Sequence, residues 1–368
     1  MNYSTYQQGL VSACRQLANS TGLRRRRRVI FAAPTDFHLD HLMPVIEEVR
    51  SDRRLRPCLL AMPDLQTVPE LEGVDIVDYD RFMKRGRWKF FDLIVTTEFW
   101  GVPWWFTSGA RAFVNHGVGP KKDYLDRLSD GGFTHVFAAG QTTRDDVADI
   151  LAQSNARGTE IVDIGLPSTD SLEAQGNARR KEIYTGRPTL LYAPSWHVDP
   201  ALIPMDEEIL TQLGDIPSAD VVIRPHPNLL KPERCGGLVW QSVFDDLART
   251  GCEISLGTPM IDDLCRADVI LGDISSVLYE FLFFDRPGML YVPEDVFNTT
   301  FSADSRERLT GAYHRMGSAN ELPGLLADLL TRPDPKAAGR QKLMAVTFFN
   351  PGHAAEAAAK AVSDIVFS

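Results

Sequence analysis

The chain has 368 residues, 44% of them hydrophobic, and a formal net charge of -10. That length suits two cores better than one, and the acidic balance argues against general nucleic-acid binding, which needs a basic surface. No apolar stretch approaches the roughly 20 residues that cross a bilayer, and the start MNYSTYQQGLVSACRQLANS lacks the charged opening and long apolar run of a signal peptide, so a cytoplasmic location is expected.

Residues 2–20 read as a short amphipathic helix, followed by five consecutive arginines, Arg24–Arg28. Such a run is either a solvated edge or a contact with an anionic membrane surface or polyanionic acceptor, which would make the protein peripheral at the inner face of the plasma membrane. RVIFAAP is the first buried strand, HLDHLMPVIEEVRSD a helix, and RPCLLAM, VDIVDY, FDLIVTTE, RAFVNHG and THVFAAG further strands. DVADILAQS is a helix and EIVDIGLP another strand. The alternation predicts an α/β domain over 28–168 with a mainly parallel sheet. Residues 169–188 are polar and broken and are expected to link two domains. A second alternating set spans 189–345, with strands TLLYAPSW, DVVIRPHP, CEISLG, ADVILGD and GMLYVP. Two Rossmann-like halves facing across a cleft is the expected architecture. PGHAAEAAAKAVSDIVFS, within 346–368, is helical by alanine content and is expected to cross back to the first domain.

Ligands of such sheets bind beyond the carboxyl ends of the strands, and the polar residues gather there. In VNHGVGPKK, Gly117 would let the backbone pass close to a ligand, His116 either accepts a hydroxyl proton or satisfies a turn, and Lys121 and Lys122 can meet phosphate. In VIRPHP, prolines brace a loop on which Arg224 and His226 point the same way, either an arrangement suited to a diphosphate or a surface arginine beside a turn histidine. In GDISSVLYEFLFF a strand hands over to a helix at Ser275 or Ser276. A serine there caps the helix, and the exposed N–H groups also make an anion site. Glu280 is placed to accept from ribose hydroxyls, with Asp273 and Ser195 on the same nucleotide. His38 and His41, with Asp36 and Asp40 near, either line an acceptor side or are simply exposed, and Trp104 either packs in a core or joins that acceptor side; no third His or Cys accompanies the two histidines, so neither a metal nor a cofactor is expected. The five cysteines show no CxxC spacing and read as reduced. There is no Walker loop, GxGxxG or G-x-S-x-G elbow.

In order and spacing, VNHGVGPKK, LLYAPSWH, VIRPHP and ADVILGDISSVLYEFLFFDRPGMLY resemble the CDP-glycerol glycerophosphotransferase family, the teichoic-acid and capsule-type poly(glycerol phosphate) transferases. The resemblance implies a GT-B fold, with an acceptor domain first and a donor-nucleotide domain second. By position His116 resembles the family's base and His226 its second essential histidine, at the donor diphosphate. Ser275 and Ser276 match the phosphate corner, Asp273 its acid, and Glu280 stands where an Asp is frequent. Ile274 replaces the usual tyrosine, and an arginine expected near 350–358 is missing. The implied function is transfer of a phospho-alditol from a CDP-alditol donor to a hydroxyl of a cell-envelope glycan or lipid-linked acceptor, releasing CMP. The rival readings are a nucleotide-sugar glycosyltransferase or 2-epimerase, and a non-catalytic nucleotide-binding scaffold.

Overall fold

The computed structural model describes residues 26–84, 91–99, 109–119, 125–130, 132–154, 158–183, 186–196 and 205–368. The expected helix over 2–20, Arg24, Arg25, Trp104, Lys121 and Lys122 lie outside the described residues. The chain divides into two compact units, one of residues 1–117, 121–170 and 348–368, the other of residues 118–120 and 171–347. No helix among the described residues is long and apolar enough to cross a membrane.

In the first unit, strands β1 (Arg27–Ala32), β2 (Leu55–Ala61), β3 (Asp75–Asp78), β4 (Leu93–Thr96), β5 (Ala110–Val114), β6 (His135–Ala138) and β7 (Glu160–Asp163) form a sheet in the order β3-β2-β1-β4-β5-β6-β7. Every neighbouring pair is parallel. A parallel sheet is covered on both faces, so its inner strands are continuous apolar runs; Val29, Ile30, Phe31 and Ala32 of β1 are all buried. Helix Asp36–Ser51 turns Leu39, Leu42, Val45, Ile46 and Val49 inward at helical spacing.

Helix Ala354–Phe367 packs on helix Asp36–Ser51 and shares its core through Ala358, Ala361, Val362 and Val366. Two devices seat it. The Asp170 carboxylate accepts the N–H groups of Ala354 (3.0 Å) and Ala355 (2.8 Å), which have no partner inside the helix. Gly165, at φ +102, lets the chain pass so close that a Cβ there would stand 2.2 Å from the Phe349 carbonyl oxygen.

The second unit holds a sheet of β8 (Thr189–Ala193), β9 (Asp220–Ile223), β10 (Glu253–Ile254), β11 (Val269–Gly272), β12 (Gly288–Tyr291) and β13 (His314–Met316). Its order is β10-β9-β8-β11-β12-β13, again parallel throughout. Its core joins Leu190, Tyr192, Ile223, Phe244, Leu271 and Met289.

The stretch expected as a broken link is mostly the helix Asp170–Ile183. Few of its residues are apolar, and charge anchors it to the second unit. Arg179 grips the Asp262 carboxylate with Nε (2.7 Å) and Nη2 (2.8 Å). Arg180 donates to the carbonyls of Cys265 and Arg266 (both 3.1 Å) and pairs with Asp268.

Candidate active site

The first unit gathers His38, His41 and His116 beside the carboxyl ends of β1, β4 and β5. His116 lies just past β5, and its Nδ1 is 2.8 Å from the carbonyl oxygen of Thr97, just past β4. A carbonyl only accepts, so Nδ1 carries the proton and, in the neutral ring, Nε2 carries the lone pair. His38 Nδ1 bonds Thr35 Oγ1 (2.8 Å), and His41 Nδ1 bonds Ser168 Oγ (2.7 Å). The ring of Phe37, half exposed, stands edge-on to all three imidazoles at 4.8–5.9 Å between centroids, and the His38 and His116 rings are 5.2 Å apart.

Glu98 completes this group and escaped the sequence reading. Its Oε2 is 3.7 Å from His38 Nε2, and its Oε1 accepts from the Phe99 N–H (2.6 Å). Burial alone would raise its carboxyl, but the bonds from His38 and Phe99 and the nearby His116 hold it below the usual carboxylate range. Its only signal was a position at the end of an apolar strand, TTE. Gly117 keeps an ordinary backbone; the left-handed position in that loop is Gly119, at φ +114.

The second unit assembles a polar rim from three neighbouring strands, β9, β8 and β11. His226 follows β9. Its Nδ1 accepts the Asn228 N–H (3.1 Å), so a neutral ring holds its proton on Nε2, the reverse of His116. Its ring stacks obliquely on Trp196, which follows β8, at 5.7 Å.

Arg224, expected at a diphosphate, gives its Nη1 to Asp263 Oδ2 (2.7 Å) and to the Thr258 carbonyl (2.8 Å). Asp263 is fully buried and also accepts from Ser255 Oγ (2.5 Å). Arg224 is thus the partly exposed half of an ion pair whose carboxylate is fully buried, and the pair fixes the Arg-Pro-His loop.

Asp273, expected on the ribose, is 1% exposed and turned inward. Its Oδ2 accepts the Ser195 N–H (2.8 Å), tying the end of β11 to the end of β8. Burial outweighs the bonds from Ser195, Ser275 and Ile274 and pushes its carboxyl up to about 6. Ser195 therefore enters this site by holding Asp273, with its backbone N–H and its side chain both bonded to that carboxyl.

After β11 the backbone turns into helix Val277–Glu280, followed directly by a 3-10 turn, Phe281–Phe284. So short a helix adds little macrodipole, and the corner's polar groups are local ones. Ser275 Oγ accepts the Val277 N–H (3.3 Å), which leaves its own proton to donate. Ser276 is the cap residue without a side-chain bond, and both serines and Glu280 are half-buried. No group of side chains among the described residues could hold a metal ion.

Residues 147–307 match the family model of CDP-glycerol:poly(glycerophosphate) glycerophosphotransferases. No curated protein is similar in sequence. Among solved structures, the chain is similar to the wall teichoic acid polymerase TagF, a histidine-to-alanine variant, at TM-score 0.67 and 12% identity over 99% of this chain and 97% of that one. It is also similar to S. aureus MnaA solved with UDP (TM-score 0.58, 10% identity, 89% and 94% covered). A UDP-GlcNAc 2-epimerase from Neisseria meningitidis bound to UDP-GlcNAc follows (0.55, 12%, 92% and 99%). At such identities these likenesses speak for the fold, two parallel-sheet α/β units of the GT-B type. Over residues 147–307 the chain is thus similar to the CDP-glycerol:poly(glycerophosphate) glycerophosphotransferases.

Proposed function

We propose that the protein transfers a phospho-alditol, glycerol phosphate or a close analogue, from a CDP-activated donor to a hydroxyl of a cell-envelope glycan or lipid-linked acceptor. The acceptor oxygen attacks the β-phosphorus of the donor. An O–P bond forms, the bond from the β-phosphorus to the bridging oxygen breaks, and CMP departs with the electron pair. His116 Nε2 takes the hydroxyl proton. His226 Nε2–H and the Ser275 and Ser276 hydroxyls donate to the diphosphate, where negative charge grows. Arg224 and Asp273 act one layer back, holding the loops that carry these donors. Glu280 accepts from the ribose, and His38 and His41 face the acceptor. No resident metal or cofactor is assigned a step.

One observation carries this reading: the bond from His116 Nδ1–H to the Thr97 carbonyl, which makes the other ring nitrogen a proton acceptor. The family match over residues 147–307 supports the donor class. TagF has been solved after a soak with CDPG, which supports the same choice.

Incubation with CDP-glycerol or UDP-GlcNAc and a lipid-linked or oligosaccharide acceptor, with the released nucleotide identified, tests the proposal. CMP from CDP-glycerol is expected. Release of UDP, or epimerised sugar, would move the protein to the sugar-nucleotide enzymes that share its fold. Binding of CDP-glycerol without turnover would make it a scaffold.

We further assign it a cytoplasmic place of action, with peripheral attachment through Arg24–Arg28. Flotation on vesicles with and without anionic lipid tests that attachment, and equal recovery from both would refute it.

A further inference from the structure

The amino ends of β1, β2 and β3, opposite the histidine cluster along the same sheet, enclose a cavity of about 400 Å³ lined by Arg26, Arg28, Arg56, Gly73, Val74 and Asp75. Parallel register sets Arg28 of β1 beside Arg56 of β2. Arg26 lies two residues before Arg28, hence on the same side of an extended chain. Three guanidinium groups thus share one hollow, and like charges side by side oppose folding unless something compensates them.

Compensation is incomplete. Asp75 pairs with Arg56 Nε (2.6 Å). Among the described residues neither the Arg26 nor the Arg28 guanidinium pairs with a carboxylate, although the Arg28 backbone N–H donates to Asp92 Oδ2 (2.8 Å). Arg26 Nε donates to the Leu55 carbonyl (2.8 Å), and the Arg28 guanidinium lies over the Phe91 ring, 4.3 Å from its centroid. Arg28 Nε is buried without a hydrogen-bond partner. By contrast Arg27, whose side chain alternates away, meets Asp92, and Arg54 meets Asp52.

We propose that this cavity binds a phosphate-type anion, either a lipid-headgroup phosphodiester or a soluble phosphate. Guanidinium forks match two oxygens of a phosphate at once, and the Phe91 ring holds one of them in place. The site is separate from the donor rim and does not rest on the reaction proposed above; it shares Arg26 and Arg28 with the proposed membrane attachment, from which the phosphate titration and the Asp75→Asn variant distinguish it.

The test is calorimetric titration of the whole chain with inorganic phosphate at constant ionic strength, with CMP saturating the nucleotide site. Flotation with phosphatidylcholine vesicles, with and without phosphatidylglycerol, is run beside it. Arg26→Gln together with Arg56→Gln should weaken phosphate or anionic-vesicle binding about tenfold or more. Asp75→Asn removes the competing carboxylate and should tighten it. CMP release should stay unchanged in both variants. Binding of vesicles alone assigns a lipid source, and binding of phosphate a soluble one. The inference is overturned if neither probe binds or if the arginine variants bind as the parent does. It is equally overturned if Asp75→Asn, which keeps shape and folding, fails to tighten binding.

Discussion

His116 and His226 are held by opposite nitrogens. His116 donates Nδ1–H to the Thr97 carbonyl, whereas His226 accepts the Asn228 N–H at Nδ1. A neutral ring of the first kind presents a lone pair at Nε2, and one of the second presents a proton, as a base and a phosphate donor require. Both histidines were legible from their strand-end motifs, but which nitrogen each would present was not. Asp263, paired with Arg224 across 39 residues of sequence, was not legible either. Removing its carboxylate in Asp263→Ala strands the guanidinium and should cost about 3–5 kcal/mol, read by chemical denaturation. Asp273 carries a pH signature. Its native carboxyl titrates at about 6 against 3.8 for an ordinary one, so the folded state holds the proton more tightly. The stabilisation is full below about pH 4 and is lost as pH rises through 6, up to about 3 kcal/mol in all. Asp273→Asn keeps an oxygen for the Ser195 N–H and should remove that slope; parallel stability-versus-pH curves for parent and variant would contradict it.

At the scale of elements, the strands were readable because a covered parallel sheet forces uninterrupted Val, Ile and Leu runs. Helix Asp170–Ile183 was not, because Arg179 and Arg180 hold it by charge and leave no apolar periodicity. The three-residue β13, His-Arg-Met, is too short and polar to announce itself. Helix Ala354–Phe367 was readable, and so was its return to the first unit as an expectation; the contacts that seat it were not. Gly165→Ala forces a Cβ against the Phe349 carbonyl at a backbone angle that side chains avoid. It should cost about 1–3 kcal/mol. Hydrogen exchange should then speed up in helix Ala354–Phe367 and stay unchanged in β8, β9 and β11. Equal protection in parent and variant would show that the close approach is not needed.

For the whole molecule, the sheet orders β3-β2-β1-β4-β5-β6-β7 and β10-β9-β8-β11-β12-β13 carry the polar residues at carboxyl strand ends in both units. The arginine cavity occupies the other end of the first sheet, so anion binding there and chemistry at the histidines are separable by mutation. In the proposed transfer His116 acts as the base and His226 as a proton donor to the diphosphate. The most direct test is single-turnover CMP release from CDP-glycerol, in the presence of acceptor, by His116→Ala and His226→Ala. His116→Ala should slow the step by roughly 10²–10⁴-fold with donor affinity nearly unchanged. His226→Ala should slow it by roughly 10²–10³-fold. CMP release by both variants at the parental rate would contradict the account.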